Sequence, residues 1–187
     1  MKKTLAKPLS ALSIITLSLV FSAISLGKAT DKAKPISVTT VIHDASGKEL
    51  GTANLTSIFN GIKIKLDLKG FTPGNHGIHF HENGLCEGPD FKTAGGHFNP
   101  FHKEHGVHNE KGPHVGDLPN IEADAQGNIQ IEFVSLSATL DQTEKSLFQK
   151  GGTSLIIHAK EDDLKTSPSG GSGDRVACGV ITREKGK

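Results

Sequence analysis

Beyond the first 29 residues, no segment carries helical periodicity over eleven or more positions, so nothing here reads as a helical bundle. A basic surplus is missing too. The chain has 21 Lys and Arg against 20 Asp and Glu, which leaves no electrostatic footprint for nucleic acid or an anionic membrane surface. Cysteine is scarce, with Cys86 and Cys178 alone. Neither follows the N-terminal apolar run, so a lipid-modified N-terminal cysteine has no support. Tryptophan and tyrosine are absent altogether.

What is present begins with a leader. Lys2, Lys3 and Lys7 make a basic start, and an apolar stretch runs from Ala11 to about Leu26. Gly27-Lys28-Ala29 then puts small residues at the −3 and −1 positions of a cut after Ala29, the pattern of a secretory signal peptide over 1–29. Cleavage after Ala23 is an alternative. An uncleaved anchor is the rival reading, because the run approaches the ~18 residues of a membrane helix. The serines and the small-residue exit favour cleavage, so no stable membrane anchor is expected. Removal leaves 158 residues, one domain with room for a proper core. Lys2, Lys3, Lys7 and Lys28 go with the leader, so 21 basic residues become 17 against 20 acidic, a net −3. Two cysteines behind an export signal imply one disulfide in an oxidising compartment. It closes a long loop, worth about 4–5 kcal/mol in the chain-entropy account.

Short alternating stretches follow. Ile62, Ile64, Leu66 and Leu68 alternate with Lys63, Lys65, Asp67 and Lys69, and Ile129, Ile131 and Phe133 alternate with Gln130 and Glu132. Both are half-buried strands by period. Turn signals separate them: Asn60-Gly61, Pro73-Gly74 and Gln126-Gly127-Asn128. Further strands are expected at 36–43, 50–58, 76–82, 120–124, 153–158 and 175–183. Eight short strands predict an all-β antiparallel sandwich or barrel over 36–187, after a disordered 30–35. Two long stretches, 83–119 and 159–174, resist strand assignment, and loops of that length are functional or disordered. By composition alone the second reads as a flexible linker.

All ten histidines follow the leader, and eight fall between His76 and His114. Imidazole is costly to bury without partners, so a metal site is the leading reading. His79 and His81 sit two apart in Gly77-Ile78-His79-Phe80-His81, which on a strand turns both rings to one face. His97, His105, His114 and Asp117 form H-x7-H-x8-H-x2-D, four N/O ligands suited to tetrahedral zinc. Such a zinc would also hold a long loop that has no secondary structure. His158, after Leu155-Ile156-Ile157, is the remaining candidate for the first metal.

At these residues the chain resembles the copper/zinc superoxide dismutases across nearly all of its mature length. Gly77-Ile78-His79-Phe80-His81 is similar to one family signature, and Gly170 through Ile181 to the other. Gly96-His97-Phe98-Asn99-Pro100 and His114-Val115-Gly116-Asp117-Leu118 match between them.

The resemblance implies a flattened eight-stranded Greek-key β-barrel with two long functional loops. It also implies dismutation of superoxide to dioxygen and hydrogen peroxide, with one copper and one zinc per subunit. His79, His81, His97 and His158 then resemble the copper ligands. His97, His105, His114 and Asp117 resemble the zinc ligands, with His97 shared. Asp162 resembles the carboxylate that links a copper histidine to a zinc histidine, with Asp163 as its adjacent rival. Arg175 resembles the arginine that receives the anion, and Cys86–Cys178 the intrasubunit disulfide. Lys160 and Lys165 are expected to add long-range attraction, or else to be plain solvated surface. His76 is read as structural, His102 and His108 as exposed, and His43 as incidental. The resemblance further implies a periplasmic location and a homodimer, with a monomer left open. Two departures bear on assembly: only ten residues separate Cys86 from His97, and the aromatics common in bacterial dimer interfaces are missing. A metal-transfer module, a copper-only dismutase and a zinc-stiffened adhesion sandwich are the rival functions.

Overall fold

The structure, a computed structural model, describes residues 34–183. The leader, residues 30–33 of the expected disordered segment and residues 184–187 lie outside the described residues. Among the described residues nine strands run β1 Ser37–Asp44, β2 Glu49–Ile58, β3 Gly61–Lys69, β4 Gly74–His76, β5 Ile78–His81, β6 Ile121–Ala123, β7 Asn128–Ser135, β8 Thr153–His158 and β9 Arg175–Ile181. Among the described residues there is no α-helix, only a 3₁₀ turn at Lys92–Ala94, and no helix long and apolar enough to cross a membrane. The expected strand 76–82 is two strands, broken at Gly77. Counting that pair as one recovers the predicted eight.

All pairings between these strands are antiparallel. Seven strands form one curled sheet in the order β5-β8-β9-β1-β2-β3-β7, and β4 pairs with β6. The small pair fills the gap in the ring, since β6 turns into β7 at Asp124–Asn128 and β4 runs into β5. The connections β3 to β4 and β7 to β8 each skip two places, which is Greek-key winding. The turns obey local chemistry. At the β2–β3 hairpin Asn60 takes φ 57°, a left-handed conformation that Asn tolerates well. At β6–β7 the Asp124 carboxylate accepts from the backbone of Gln126 and Asn128 at 2.9 and 2.8 Å.

Period-two patterning decides what lies inside. Val38 and Ile42 of β1, Leu55 of β2 and Ile62, Ile64, Leu66 and Leu68 of β3 point into one core with Ile129, Leu155, Ile157 and Ile181. The alternation read for β7 holds at Ile129 only. Ile131 is exposed and Phe133 half-buried against the core; β7 is the last strand in the order of its sheet and has a sheet neighbour on one side only. β8 is buried at all six positions, as expected of a strand covered on both faces. It carries His158 at its end.

Candidate metal centre

One edge of β5 pairs with β8; the long loop 83–119 supplies a partner for the other. Phe80 N donates to Gly116 O at 2.9 Å, Phe98 N to Phe80 O at 2.8 Å and Gly116 N to Phe98 O at 2.9 Å. Single bridges set His79 beside Asp117 and His81 beside His97. Glycine at 116 is required for this approach, because a Cβ there would collide with the Phe80 carbonyl. Residues far apart in sequence are thereby brought to one face of β5.

Four rings meet first. One nitrogen from each of His79, His81, His97 and His158 lies within 4.8 Å of the others. Each ring has its second nitrogen anchored elsewhere. His79 Nε2 donates to Asp162 Oδ2 at 2.7 Å, His81 Nδ1 to Gly95 O at 3.0 Å and His158 Nδ1 to Gly173 O at 3.1 Å, while His97 Nδ1 faces Asp117 Oδ1 at 2.9 Å. The nitrogens left over are His79 Nδ1, His81 Nε2, His97 Nε2 and His158 Nε2, all buried without a hydrogen-bond partner. Four orphaned imidazole nitrogens facing one another are costly unless a cation sits between them. Burial above all, reinforced by the neighbouring cationic forms, pushes His79 down to about 3, His81 to about 2 and His158 to about 4. The rings are thus neutral and able to bind metal.

The second set adjoins the first at His97. Asp117 Oδ1 lies 2.9 Å from His97 Nδ1, 3.0 Å from His105 Nδ1 and 3.2 Å from His114 Nδ1, and the nitrogens of His97 and His114 are 3.3 Å apart. A tetrahedron of ligands about 2.0–2.1 Å from zinc has edges of roughly 3.3 Å, so these side chains already outline one. His79 also lies within 4.8 Å of His97, His105 and Asp117. Its Nε2 is taken by Asp162, however, and His114 is the better fourth member. Burial opposes ionisation of Asp117, yet hydrogen bonds from the three histidines hold it far below the usual carboxylate range. Burial likewise opposes protonation of His105, but Asp117 and Asp162 raise it to about 9.

Asp162 joins the two sets. Its Oδ2 accepts from His79 and its Oδ1 from His105 Nε2 at 3.0 Å. Its rival Asp163 is exposed and bonds its own turn at Lys165 and Thr166. The loop 159–174, flexible by composition, is pinned by backbone bonds such as Lys160 to Ser172 and Asp163 to Gly170. Asn120, missed by sequence reasoning, accepts from Asp162 N at 2.9 Å and donates to its carbonyl at 2.8 Å. Nothing local in the sequence marks it. His76 donates from Nδ1 to His158 O at 2.7 Å and lies 2.8 Å from Thr72 O, so its expected structural part is a tie between strand end and loop. His102 and His108 are exposed, and His43 is half-buried.

Cys86 and Cys178 form a disulfide across 92 residues, with their Cα atoms 5.7 Å apart. Phe91, Ala94, Ile156 and Cys178 pack as a small core under the loop. Arg175 donates to Phe91 O at 2.8 Å and Gly95 O at 2.7 Å, and it lines a surface cavity with Pro89, Asp90, Lys92, Gly173 and Asp174. Neither Lys160 nor Lys165 lines that cavity. Lys92, which sequence reasoning passed over, does.

An antiparallel Greek-key barrel with two abutting histidine clusters is the architecture of a two-metal β-barrel protein. The family profile of copper/zinc superoxide dismutase matches residues 49–181. The chain is 45% identical over 142 residues to superoxide dismutase [Cu-Zn] 1 of Aquifex aeolicus, covering 75% of this chain and 84% of that one. It is 44% identical over 148 residues to a superoxide dismutase [Cu-Zn] of Caulobacter vibrioides, covering 78% and 85%. Among solved structures it is similar to a double mutant of a SOD-like protein from Bacillus subtilis, with TM-score 0.75 and 37% identity over 78% of this chain and 97% of that one. It is also similar to Cu/Zn superoxide dismutase from Brucella abortus, with TM-score 0.66 and 33% identity over 78% and 99%. The chain belongs to the copper/zinc superoxide dismutase family.

Proposed function

We infer that the protein is a superoxide dismutase that binds copper and zinc. The observation that carries this is the set of four buried, unpartnered nitrogens of His79, His81, His97 and His158 beside the three-histidine, one-aspartate set. His79, His81, His97 and His158 would hold copper; His97, His105, His114 and Asp117 would hold zinc. Copper, when bound, supplies a centre that alternates between two oxidation states, as zinc cannot. The rest falls to the chain. His97 faces both sets, and its Nε2, buried without a partner, would be the atom that holds one of the protons the peroxide product needs. Its Nδ1, 2.9 Å from Asp117 Oδ1, would keep the ring in place. Arg175 orients the anion with a guanidinium kept charged at any working pH. Asp162 fixes the ring orientations of His79 and His105.

The disulfide supports export to an oxidising compartment, and we place the mature chain, residues 30–187, in the periplasm. By resemblance it pairs as a homodimer, with a monomer as the alternative that sedimentation decides. The test of function is His81→Ala in the metal-loaded protein. Superoxide consumption collapses if the reading holds; unchanged consumption overturns it and returns weight to a binding module.

A further inference from the structure

Glu82 is exposed and follows His81 directly at the end of β5. Its side chain turns to the loop that faces the strand. Glu82 Oε1 accepts from Gly96 N at 2.9 Å, and a Cβ on Gly95 would collide with Glu82 Cγ and Oε1. Gly95 also takes a left-handed φ of 76°, so two separate constraints require glycine there. The N–H that meets Glu82 and the carbonyl of Gly95 belong to one peptide group. That carbonyl accepts from His81 Nδ1 at 3.0 Å and from Arg175 Nη2 at 2.7 Å. On either side the backbone is tied by its own bonds, Gly95 N to Lys92 O and Glu82 N to Gly96 O, both at 3.0 Å. The peptide between them is held by side chains. It also lies between two glycines, the residues that leave a peptide most free to rotate.

From this arrangement we propose that Glu82 is a positioning residue of the site: its carboxylate pins the Gly95–Gly96 peptide so that the Gly95 carbonyl meets His81 and Arg175 together. This rests on the dismutase reading above. His81 presents a partnerless Nε2 to the proposed copper set. That requires the ring proton to sit on Nδ1, and the Gly95 carbonyl is the acceptor that holds it there. A peptide rotated away would leave that N–H without an acceptor and remove one of the two anchors of Arg175 at the same time. A charged acceptor on the Gly96 N–H also polarises the peptide, which strengthens the two bonds its carbonyl accepts.

The experiment uses the full mature chain with Glu82→Ala, Glu82→Gln and, as a neighbour that bonds the same turn through Thr93 O, Asn83→Ala. NMR on the chain loaded with zinc alone reads hydrogen exchange at the Gly96 amide and the tautomer of His81. Superoxide decay is followed on the chain loaded with copper and zinc, with metal content measured on each sample. In Glu82→Ala the Gly96 amide exchanges about tenfold faster, and His81 populates both tautomers. The decay rate falls about fivefold at equal copper, less than the ~10–100-fold of a ligand's direct partner, because the effect passes through one further bond. Glu82→Gln keeps an acceptor without the charge and stays within about twofold of the parent in exchange and rate. Asn83→Ala leaves the His81 tautomer as in the parent. A Glu82→Ala variant with the parent's tautomer or rate overturns the proposal. So does a loss in Glu82→Gln as large as that in Glu82→Ala, or an equal tautomer change in Asn83→Ala. A parent inactive at full copper overturns the dismutase reading, and the exchange and tautomer series still decide what Glu82 does.

Discussion

Arg175 and His81 donate to the same carbonyl oxygen, that of Gly95, from Nη2 at 2.7 Å and Nδ1 at 3.0 Å. The residue proposed to receive the anion and a residue proposed to hold copper are thus positioned by one peptide group. That group lies in a loop tied to β9 by the disulfide. Lysine in place of arginine keeps the charge but cannot span Phe91 and Gly95 together. Arg175→Lys should therefore lower the superoxide rate by about tenfold with copper content unchanged. A rate equal to the parent's would show that charge alone suffices.

Gly170 and Gly171 both have left-handed φ, 61° and 66°. A Cβ at 170 would strike the Asp162 carboxylate, whereas one at 171 meets nothing within 4 Å. The two alanine variants thus share a backbone cost and differ only in what happens to Asp162. Gly170→Ala should weaken zinc affinity by about 10–100-fold, the usual effect of disturbing a ligand's supporting partner, while Gly171→Ala should not. Equal affinities in a competitive chelator titration would refute the link.

Removing the disulfide should cost about 2–5 kcal/mol and loosen the loop beneath which Phe91 and Ala94 pack against Ile156. Cys86→Ser/Cys178→Ser is expected to show that loss in urea unfolding of the metal-free protein, together with a lower dismutase rate because Phe91 and Gly95 no longer hold Arg175. A stability within error of the parent would contradict this.

Metal-free protein should be most stable near pH 6.5. An unfolded histidine titrates near ~6.5. Burial holds His79 at about 3 and His158 at about 4 in the fold, so below pH 6.5 the unfolded chain binds more protons and stability falls. His105, raised to about 9 by Asp117 and Asp162 against its burial, works in the opposite sense. Its contribution is complete below pH 6.5 and is lost as pH rises through 9. The urea midpoint from pH 4 to 9 should pass through a maximum, and a midpoint flat on the acid side would refute the assignment.

Strand periodicity and histidine spacing were legible because each is a local rule. Ile62 through Leu68 alternate whatever lies elsewhere, and H-x7-H-x8-H-x2-D sits within one loop. Cys86 and Cys178, as the only cysteines, left one pairing to expect. What escaped notice depends on contacts between distant segments. Asn120 clamps Asp162 across 42 residues, and Lys92 shares a cavity with Arg175 because Arg175, on the last strand, reaches back over 80 residues to Gly95. The loop 159–174 looked flexible because glycine and serine read alike in a linker and in a tight, hydrogen-bonded turn. Ile131 looked inward because the period cannot show that its strand lies last in the sheet.

The most direct measurement is superoxide decay after pulse radiolysis of the purified mature protein, with copper and zinc quantified on the same sample. The account predicts a decay rate proportional to copper content, from protein holding one copper and one zinc per chain. Full copper loading without any acceleration over buffer would contradict it.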